Sequence, residues 1–553
     1  MISPRMPLNN DSIIAVPEKN ASAVGNMGKD IHEKKPADFE TAIAAAGSGK
    51  FQFLLLLAVI PAAWAGGMDA TSISIILPTI ECDLKTTLFQ KGVLNAISFV
   101  GMVSSGFLWG YVADVRGRRS VVIYGYMADG ICNILTGFSQ NFWTLASFKF
   151  INGVILSGPH AAMVTYCSEF YGIKGRGRIP LFVGFSVIFG TIVAAALGWL
   201  VVPQPWSIVI WNGAFVFNSW RIYLSLCGVP TLLGTVFLFL FPESPKFLMS
   251  RGRNEEAMKV FKMIYKLNTG RPANEYPILD LADESYHKAS SDANLNQKSQ
   301  KTAIFFYPHL PRILLVTLIQ FGTMLATNTI RLWQPELFAI LDNFVSQTNA
   351  TTDQKITFCD ILDFSTNANG NSTTDGTSCA VINESVYMST VIIYTFTIIC
   401  ILVATLVLKI INQKNLLFVC YGVALFCIVY LNWSSNAMST LVLMCTFVGL
   451  MTTNLNVVVS AAVILFPTSL RTIAVSLVWT AGRLGSIVGS LLFPVLLEYG
   501  CLAPLIVLAG FVILSIVLTC FLAAAKKTTT GGSCLRASIH GFDIASIRPE
   551  FAQ

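Results

Sequence analysis

The sequence predicts an all-α membrane protein of twelve transmembrane helices in two pseudo-symmetric six-helix bundles. Three observations carry that prediction. Of 553 residues, 54% are hydrophobic and 12% charged, about half the charged share of an average soluble domain. Ile179–Trp220, Ile222–Pro242, Ser385–Leu408, Asn415–Leu470 and Tyr499–Ala525 contain no Asp, Glu, Lys or Arg. The cations gather in alternate connections. A helix needs about 20 apolar residues to cross the hydrocarbon layer. Lipid offers the backbone no hydrogen-bond partners, so such stretches read as helices and not as strands. This composition excludes a water-soluble globule, a disordered chain, a collagen-like chain and a nucleic-acid binder. The 13 cysteines are too dilute for a disulfide-dense scaffold. No CxxC or zinc-type Cys/His spacing occurs, so neither a metal nor a cofactor is expected.

Residues 1–50 are polar, with Pro4, Pro7, Pro17, Pro36 and the run His32-Glu33-Lys34-Lys35. They lack the early apolar core of a signal peptide and read as a disordered cytoplasmic tail. Gly49-Lys50 is followed by Phe51, so it is no phosphate loop. The first bundle covers 51–242, with spans at 51–77, 92–113, 120–138, 142–168, 180–201 and 221–241. A cytoplasmic linker covers 243–311. The second bundle covers 312–525, with spans at 312–337, 387–409, 415–432, 437–466, 473–496 and 502–525. It includes an outer loop at 338–386, and a cytoplasmic tail follows at 526–553.

Lysine and arginine set the orientation. Arg116, Arg118 and Arg119 lie between spans 2 and 3, and Lys174, Arg176 and Arg178 between spans 4 and 5. The segment 243–312 holds eleven Lys/Arg. Lys409 and Lys414 bracket the 8–9 turn, Arg471 lies between spans 10 and 11, and Lys526 and Lys527 follow span 12. The positive-inside bias then puts both termini in the cytoplasm. The 7–8 loop carries three glycosylation sequons, at Asn349, Asn371 and Asn383, which fit an external or lumenal face. Cys359 and Cys379 are the two cysteines of that loop and form a candidate disulfide, with free thiols as the alternative.

The halves echo one another. A shift of 295 residues superimposes Arg176 on Arg471 and Gly190 on Gly485, where two homologous halves should match. Spans 5 and 11 are rich in small residues (Gly184, Gly190, Gly198; Gly482, Gly485, Gly489), which let membrane helices approach closely, either to slide or to pack statically.

The strongest local pattern is Gly110-Tyr-Val-Ala-Asp114-Val-Arg116-Gly117-Arg118-Arg119, in the turn between spans 2 and 3. Gly117 suits a turn with unusual backbone angles. Gly110 is expected to admit a neighbouring helix. Asp114 can accept from a helix N-terminus or pair with an arginine of the turn. Such a cytoplasmic gate would hold the two halves together in one state and release them in another. The alternative is that the arginines only fix topology.

This pattern resembles the signature loop of the major facilitator superfamily. Pro242-Glu243-Ser244-Pro245-Lys246-Phe247-Leu248 with Gly252-Arg253 resembles the segment after span 6 in sugar porters, organic-ion transporters and synaptic vesicle glycoprotein 2 relatives. Leu77-Pro78-Thr79-Ile80-Glu81, Lys91-Gly92 and Gly101-Met102-Val103-Ser104-Ser105-Gly106 are most similar to the synaptic vesicle glycoprotein 2 group. The resemblance covers about 51–525, without much of the 7–8 loop. It implies two six-helix bundles around a central cavity lined by spans 1, 4, 7 and 10. The family commonly has arginine in a Phe-Arg-Phe-x-x-Gly stretch of span 4. Here it is Phe148-Lys149-Phe150-Ile151-Asn152-Gly153, which keeps the charge and loses the planar fork.

Charges inside spans default to functional candidates. Asp69 and Lys149 both fall roughly 10–14 Å below the outer boundary, at 1.5 Å per residue. They are therefore expected to pair, for proton exchange, substrate binding or structure. Asp129 in span 3 reads as structural. Arg483 suits the interface between halves, and Arg331 and Glu336, near the outer end of span 7, either form an outer gate or sit at the membrane interface. Asn328, Thr329, Asn454 and Asn456 offer polar groups to orient a solute, or to bond between helices.

Together these features point to a non-enzymatic carrier of a small polar or charged organic solute, working by alternating access. It sits in the bilayer of the plasma membrane or an intracellular vesicle. Either a coupling ion or proton drives it, or it is a uniporter. The rival is a transporter-shaped vesicle glycoprotein that binds a protein partner through the 7–8 loop. That loop has six acidic residues and one lysine between Asp342 and Glu384.

Overall fold

Twelve long helices appear in the computed structural model, which describes residues 36–210, 215–282, 304, 309–347, 357–371, 383–408 and 410–522. Spans 1 to 6 are Lys50–Leu84, Leu88–Arg116, Arg118–Thr136, Phe142–Ser168, Ile179–Val201 and Ser219–Leu238. Spans 7 to 12 are His309–Gln347, Glu384–Val407, Gln413–Tyr430, Ala437–Leu465, Thr468–Leu497 and Leu502–Cys520. Ten are long and apolar enough to cross a bilayer. The other two, Arg118–Thr136 and Phe142–Ser168, have the length, and they carry Asp129, Asn133, Lys149 and Asn152. The turn with Arg116–Arg119 and the helices of the central linker share one end of the molecule, called here the basic end. The 1–2, 7–8 and 11–12 connections share the far end.

The helix limits follow from local chemistry. Span 2 opens on a capping box: the Gln90 N–H donates to Thr87 Oγ1 at 3.3 Å and the Thr87 N–H to Gln90 Oε1 at 2.9 Å. It therefore starts four residues earlier than its apolar run suggests. Span 4 is capped by Asn141, whose Oδ1 accepts from the Thr144 N–H at 2.9 Å. Span 2 ends at Gly117, with φ +94°.

The two halves repeat one packing relation. A Cβ on Gly190 of span 5 would lie 2.7 Å from Cα of Trp64 in span 1, and one on Gly485 of span 11 would lie 2.3 Å from the Phe321 carbonyl of span 7. Equivalent glycines thus press on equivalent helices, as a duplicated bundle requires. Gly184 contacts nothing within 4 Å at that position.

The all-α body carries one small addition, and two expectations about its ends need correction. β1 (Ser207–Ile210) and β2 (Phe215–Asn218) form a short antiparallel pair between spans 5 and 6. Val209, Val216 and Phe217 supply the β-branched and aromatic residues that favour strands. The segment before span 1 is not all disordered tail. Phe39–Ala46 is a helix capped by Asp38, with Phe39, Ala42, Ile43 and Ala46 buried. The apolar stripe packs on linker helix Asn254–Thr269, with the Phe39 and Phe261 ring centroids 6.2 Å apart. The outer disulfide also differs: Cys359 bonds to Cys501, not to Cys379, which lies outside the described residues.

That disulfide anchors the outer helix Phe358–Asn371. Cys501 sits in the 11–12 turn, where its N–H donates to Asp363 Oδ1 at 2.6 Å, while the Phe358 N–H donates to the Ser434 carbonyl at 2.7 Å. One short helix therefore ties three far-end connections. Non-reducing peptide mapping is expected to recover a Cys359–Cys501 link. A Cys359–Cys379 link would contradict it.

Candidate functional site

Spans 1, 3 and 4 bury a polar cluster between them. Asp69 and Ser72 are one helical turn apart on span 1, Asp129 and Asn133 on span 3, and Lys149 and Asn152 on span 4. Lys149, fully buried, donates to Ser72 Oγ at 2.9 Å and to Asn133 Oδ1 at 3.2 Å. Its Nζ is 3.7 Å from Asp69 Oδ1. Asn152 Nδ2 bridges Asp69 Oδ1 and Asn133 Oδ1, at 2.9 Å each. Asp129 is completely buried and interacts with both Asp69 and Lys149. The expected Asp69–Lys149 pair thus forms, and Asp129 joins it. One ammonium group stands against two buried carboxylates, and neither oxygen of Asp129 has a hydrogen-bond partner among the described residues, so the cluster has room for a proton. Sequence reasoning missed Ser72, Asn133 and Asn152. The signal was there: polar residues spaced three or four apart from each charge.

The far end is closed across the two halves. Lys91 of span 2, 1% exposed, donates to Glu336 Oε1 of span 7 at 2.5 Å and to Glu81 Oε2 at 2.8 Å. Asn95 Nδ2 donates to the Leu332 carbonyl at 3.4 Å, and Thr79 and Tyr387 share a 3.3 Å hydrogen bond. A Cβ on Gly92 would lie 2.8 Å from the Ser490 carbonyl and 2.9 Å from Pro494. Glu336 is therefore an outer-latch residue, and its partner is Lys91. Lys91 fell outside the apolar run that marked span 2. A second far-end pair, Arg221 with Asp83 at 2.6 Å, was also missed.

The basic end shows the opposite arrangement. Arg118 lies 3.5 Å from Asp114 and 3.6 Å from Glu169. The Arg119 N–H donates to Glu243 Oε1 at 3.0 Å, and its side chain donates to the carbonyls of Phe241 and Phe239 at 2.6 and 2.9 Å. Arg251 donates to the Asp114 carbonyl at 2.7 Å. Every one of these partners belongs to the first half or to the start of the linker. Glu243 approaches so closely that a Cβ on Gly117 would lie 2.5 Å from its Oε2. Burial raises the Glu243 pKa, against hydrogen bonds from Ser244 and Arg119 and the Arg119 charge. Asp114 is 79% exposed and Arg116 is exposed. Gly110 does not admit a neighbouring helix, since nothing lies within 4 Å of a Cβ there. The halves meet at the far end, so the inner part of span 2 has no close neighbour at Gly110.

The remaining candidates divide. Asn328 donates to Ser486 Oγ of span 11 at 2.5 Å. Thr329 bonds its own helix at Leu325 and packs on Gly489, and exposed Asn456 likewise bonds the Thr452 carbonyl. Asn454 is buried, with no partner for either amide atom among the described residues. Arg331 and Arg483 are half-buried. Asn383 caps span 8 and donates to Asp342 at 2.5 Å. Asn371 ends the outer helix, and Asn349 lies outside the described residues, as does Lys409.

Comparisons with known proteins agree with this architecture. The family model described as sugar (and other) transporter matches residues 65–352. Synaptic vesicle glycoprotein 2A of Rattus norvegicus is 29% identical over 237 residues, which are 43% of this chain and 32% of that protein. Synaptic vesicle glycoprotein 2B of Rattus norvegicus is 29% identical over 237 residues, 43% of this chain and 35% of the relative. The chain thus spans about a third of the length of these curated relatives. The partially occluded inward open xylose transporter XylE from E. coli superimposes with a TM-score of 0.62 at 16% identity, covering 87% of this chain and 99% of that one. That likeness is one of fold.

Proposed function

Because the chain belongs to the sugar (and other) transporter family, we propose that it carries a small polar or charged organic solute across a membrane by alternating access. The observation that supports this best is the asymmetry between the ends. The far end is latched between halves by Lys91 and Glu336, while among the described residues the signature loop bonds only to its own half and the start of the linker. With the basic end in the cytoplasm, this is a state closed outside and released inside. A carrier needs that state and its mirror image.

Protons couple through Asp69, Asp129 and Lys149 on this reading. A cluster with two carboxylates and one ammonium group changes charge when one proton binds, and a buried charge change biases which state is stable. Purified full-length protein in proteoliposomes, screened against a broad solute panel at two pH values, tests both parts. Flux of at least one polar solute is expected, with its pH dependence lost in Asp69→Asn. Unaltered rate and pH dependence in Asp69→Asn would refute the coupling.

The outer helix Phe358–Asn371, held by a disulfide and backbone bonds, supports the second reading, a vesicle glycoprotein that binds a protein partner through its 7–8 loop. No flux across the panel, with partner binding that requires this loop, would favour it.

A further inference from the structure

The carboxylates within the helical body have cations beside them. Asp69 and Asp129 adjoin Lys149, Glu81 and Glu336 hold Lys91, and Asp83 holds Arg221. Two guanidinium groups in the middle of the spans are left over, while Arg471, also without an ion pair among the described residues, stands at the basic-end start of span 11. Among the described residues, no carboxylate lies within ion-pair distance of Arg331 in span 7 or Arg483 in span 11. Arg331 Nε also lacks any hydrogen-bond partner. An uncompensated cation in a helical membrane body is costly, and it points to a ligand that completes it.

Both arginines stand on the seam between the halves. The Asn328–Ser486 hydrogen bond sets spans 7 and 11 in register. Arg331 is three residues beyond Asn328 toward the far end, and Arg483 is three residues before Ser486. Six rises separate them, about 9 Å along the axis. Arg483 is seven residues before Ser490, on the same helix face, and Ser490 is where Gly92 of the opposite half packs. Arg483 interacts electrostatically with His160 of span 4, whose buried Nδ1 has no hydrogen-bond partner among the described residues. Arg331 adjoins Leu332, whose carbonyl accepts from Asn95 of the first half, and it interacts with Tyr394 of span 8. Both side chains lie on the basic-end side of the closed Lys91–Glu336 latch, and both are half-buried.

We infer that Arg331 and Arg483 form an organic-anion site at the seam, and that the carried solute bears a carboxylate. This rests on the carrier reading and narrows its substrate class. A guanidinium presents a planar fork that matches a carboxylate bidentately. A neutral sugar would leave both cations unpaired, and an organic cation would be repelled. Because the two arginines belong to the second half and His160 to the first, a ligand held here touches both halves, as alternating access demands.

The test uses the purified full chain with succinate, benzoate, glucose and tetraethylammonium as probes. Binding is read as a rise in melting temperature, and transport as counterflow in proteoliposomes. One or both carboxylates are expected to bind and to move, with affinity at least about tenfold weaker in Arg331→Gln and in Arg483→Gln, a loss of one good charge-assisted contact. Arg483→Lys keeps part of the affinity and serves where the glutamine variant does not fold. Glucose or tetraethylammonium transported equally well by wild type and both glutamine variants would overturn the anion site and leave the carrier reading intact. Carboxylate binding that needs both arginines, without flux of any probe, would support the site and overturn the carrier reading. No binding and no flux for any probe would overturn the anion site.

Discussion

Replacing Lys149 with methionine is expected to destabilise the folded protein by on the order of 3–5 kcal/mol, the usual cost of removing one partner from a buried ion pair. Lys149 is fully buried, pairs with Asp69 and is the cation that interacts with Asp129. Without it, two carboxylates face each other in a low-dielectric interior, Ser72 loses its donor, and Asn133 keeps only the one from Asn152. Proton uptake can neutralise part of that charge, so the loss should be smaller in acid than at neutral pH. The check is the melting temperature of the purified protein at two pH values. A second substitution, Asp129→Asn in the Lys149→Met background, should recover much of the loss by removing one of the stranded charges. It should not restore pH-dependent flux, because the proton-binding balance is gone. A Lys149→Met protein that melts like wild type would show that the cluster carries no charge worth compensating.

The sequence makes the helical body legible because lipid imposes a single requirement, a long run of apolar residues. Span 4 is read at 142–168 and found at Phe142–Ser168. Ends are less legible, because a helix stops where its caps say and not where its hydropathy falls. Thr87 and Gln90 extend span 2 past the apolar run and bring Lys91 inside it. Partners across the fold are less legible still. Asp69 and Lys149 could be matched by depth alone, since both helices were placed beside the central path. Glu336 reads from the sequence only as a gate or interface residue with no partner, because nothing in one sequence says which helix of the other half faces it. The Cys359–Cys501 bond was missed for the same reason: its two ends are 142 residues apart, and loop membership drew attention to Cys379. Gly110 failed differently. Its contact depends on the conformational state, and a sequence encodes more than one state.

Gly92→Leu is expected to shift that choice of state decisively. The glycine lies where spans 2 and 11 touch, next to the Lys91–Glu336 latch. A Cβ there would come within 2.8 Å of the Ser490 backbone carbonyl and 2.9 Å of the Pro494 ring. Neither group can swing aside, so relief requires the halves to part at the far end. Parting them also breaks the latch, which by itself opposes opening by up to about 3–5 kcal/mol if it behaves as other buried pairs do. A leucine that makes the closed state less favourable by that amount moves the population by two decades or more. Spin labels on exposed Lys85 and Glu498 report the far end, and labels on exposed Arg116 and Thr472 report the basic end. The first distance should lengthen and the second shorten, with transport cut to a small fraction of wild type. Glu336→Gln should move both distances the same way by less, because Lys91 keeps Glu81 at 2.8 Å. Unchanged distances in Gly92→Leu with transport intact would mean that this seam does not gate the path, and that the latch is only structural.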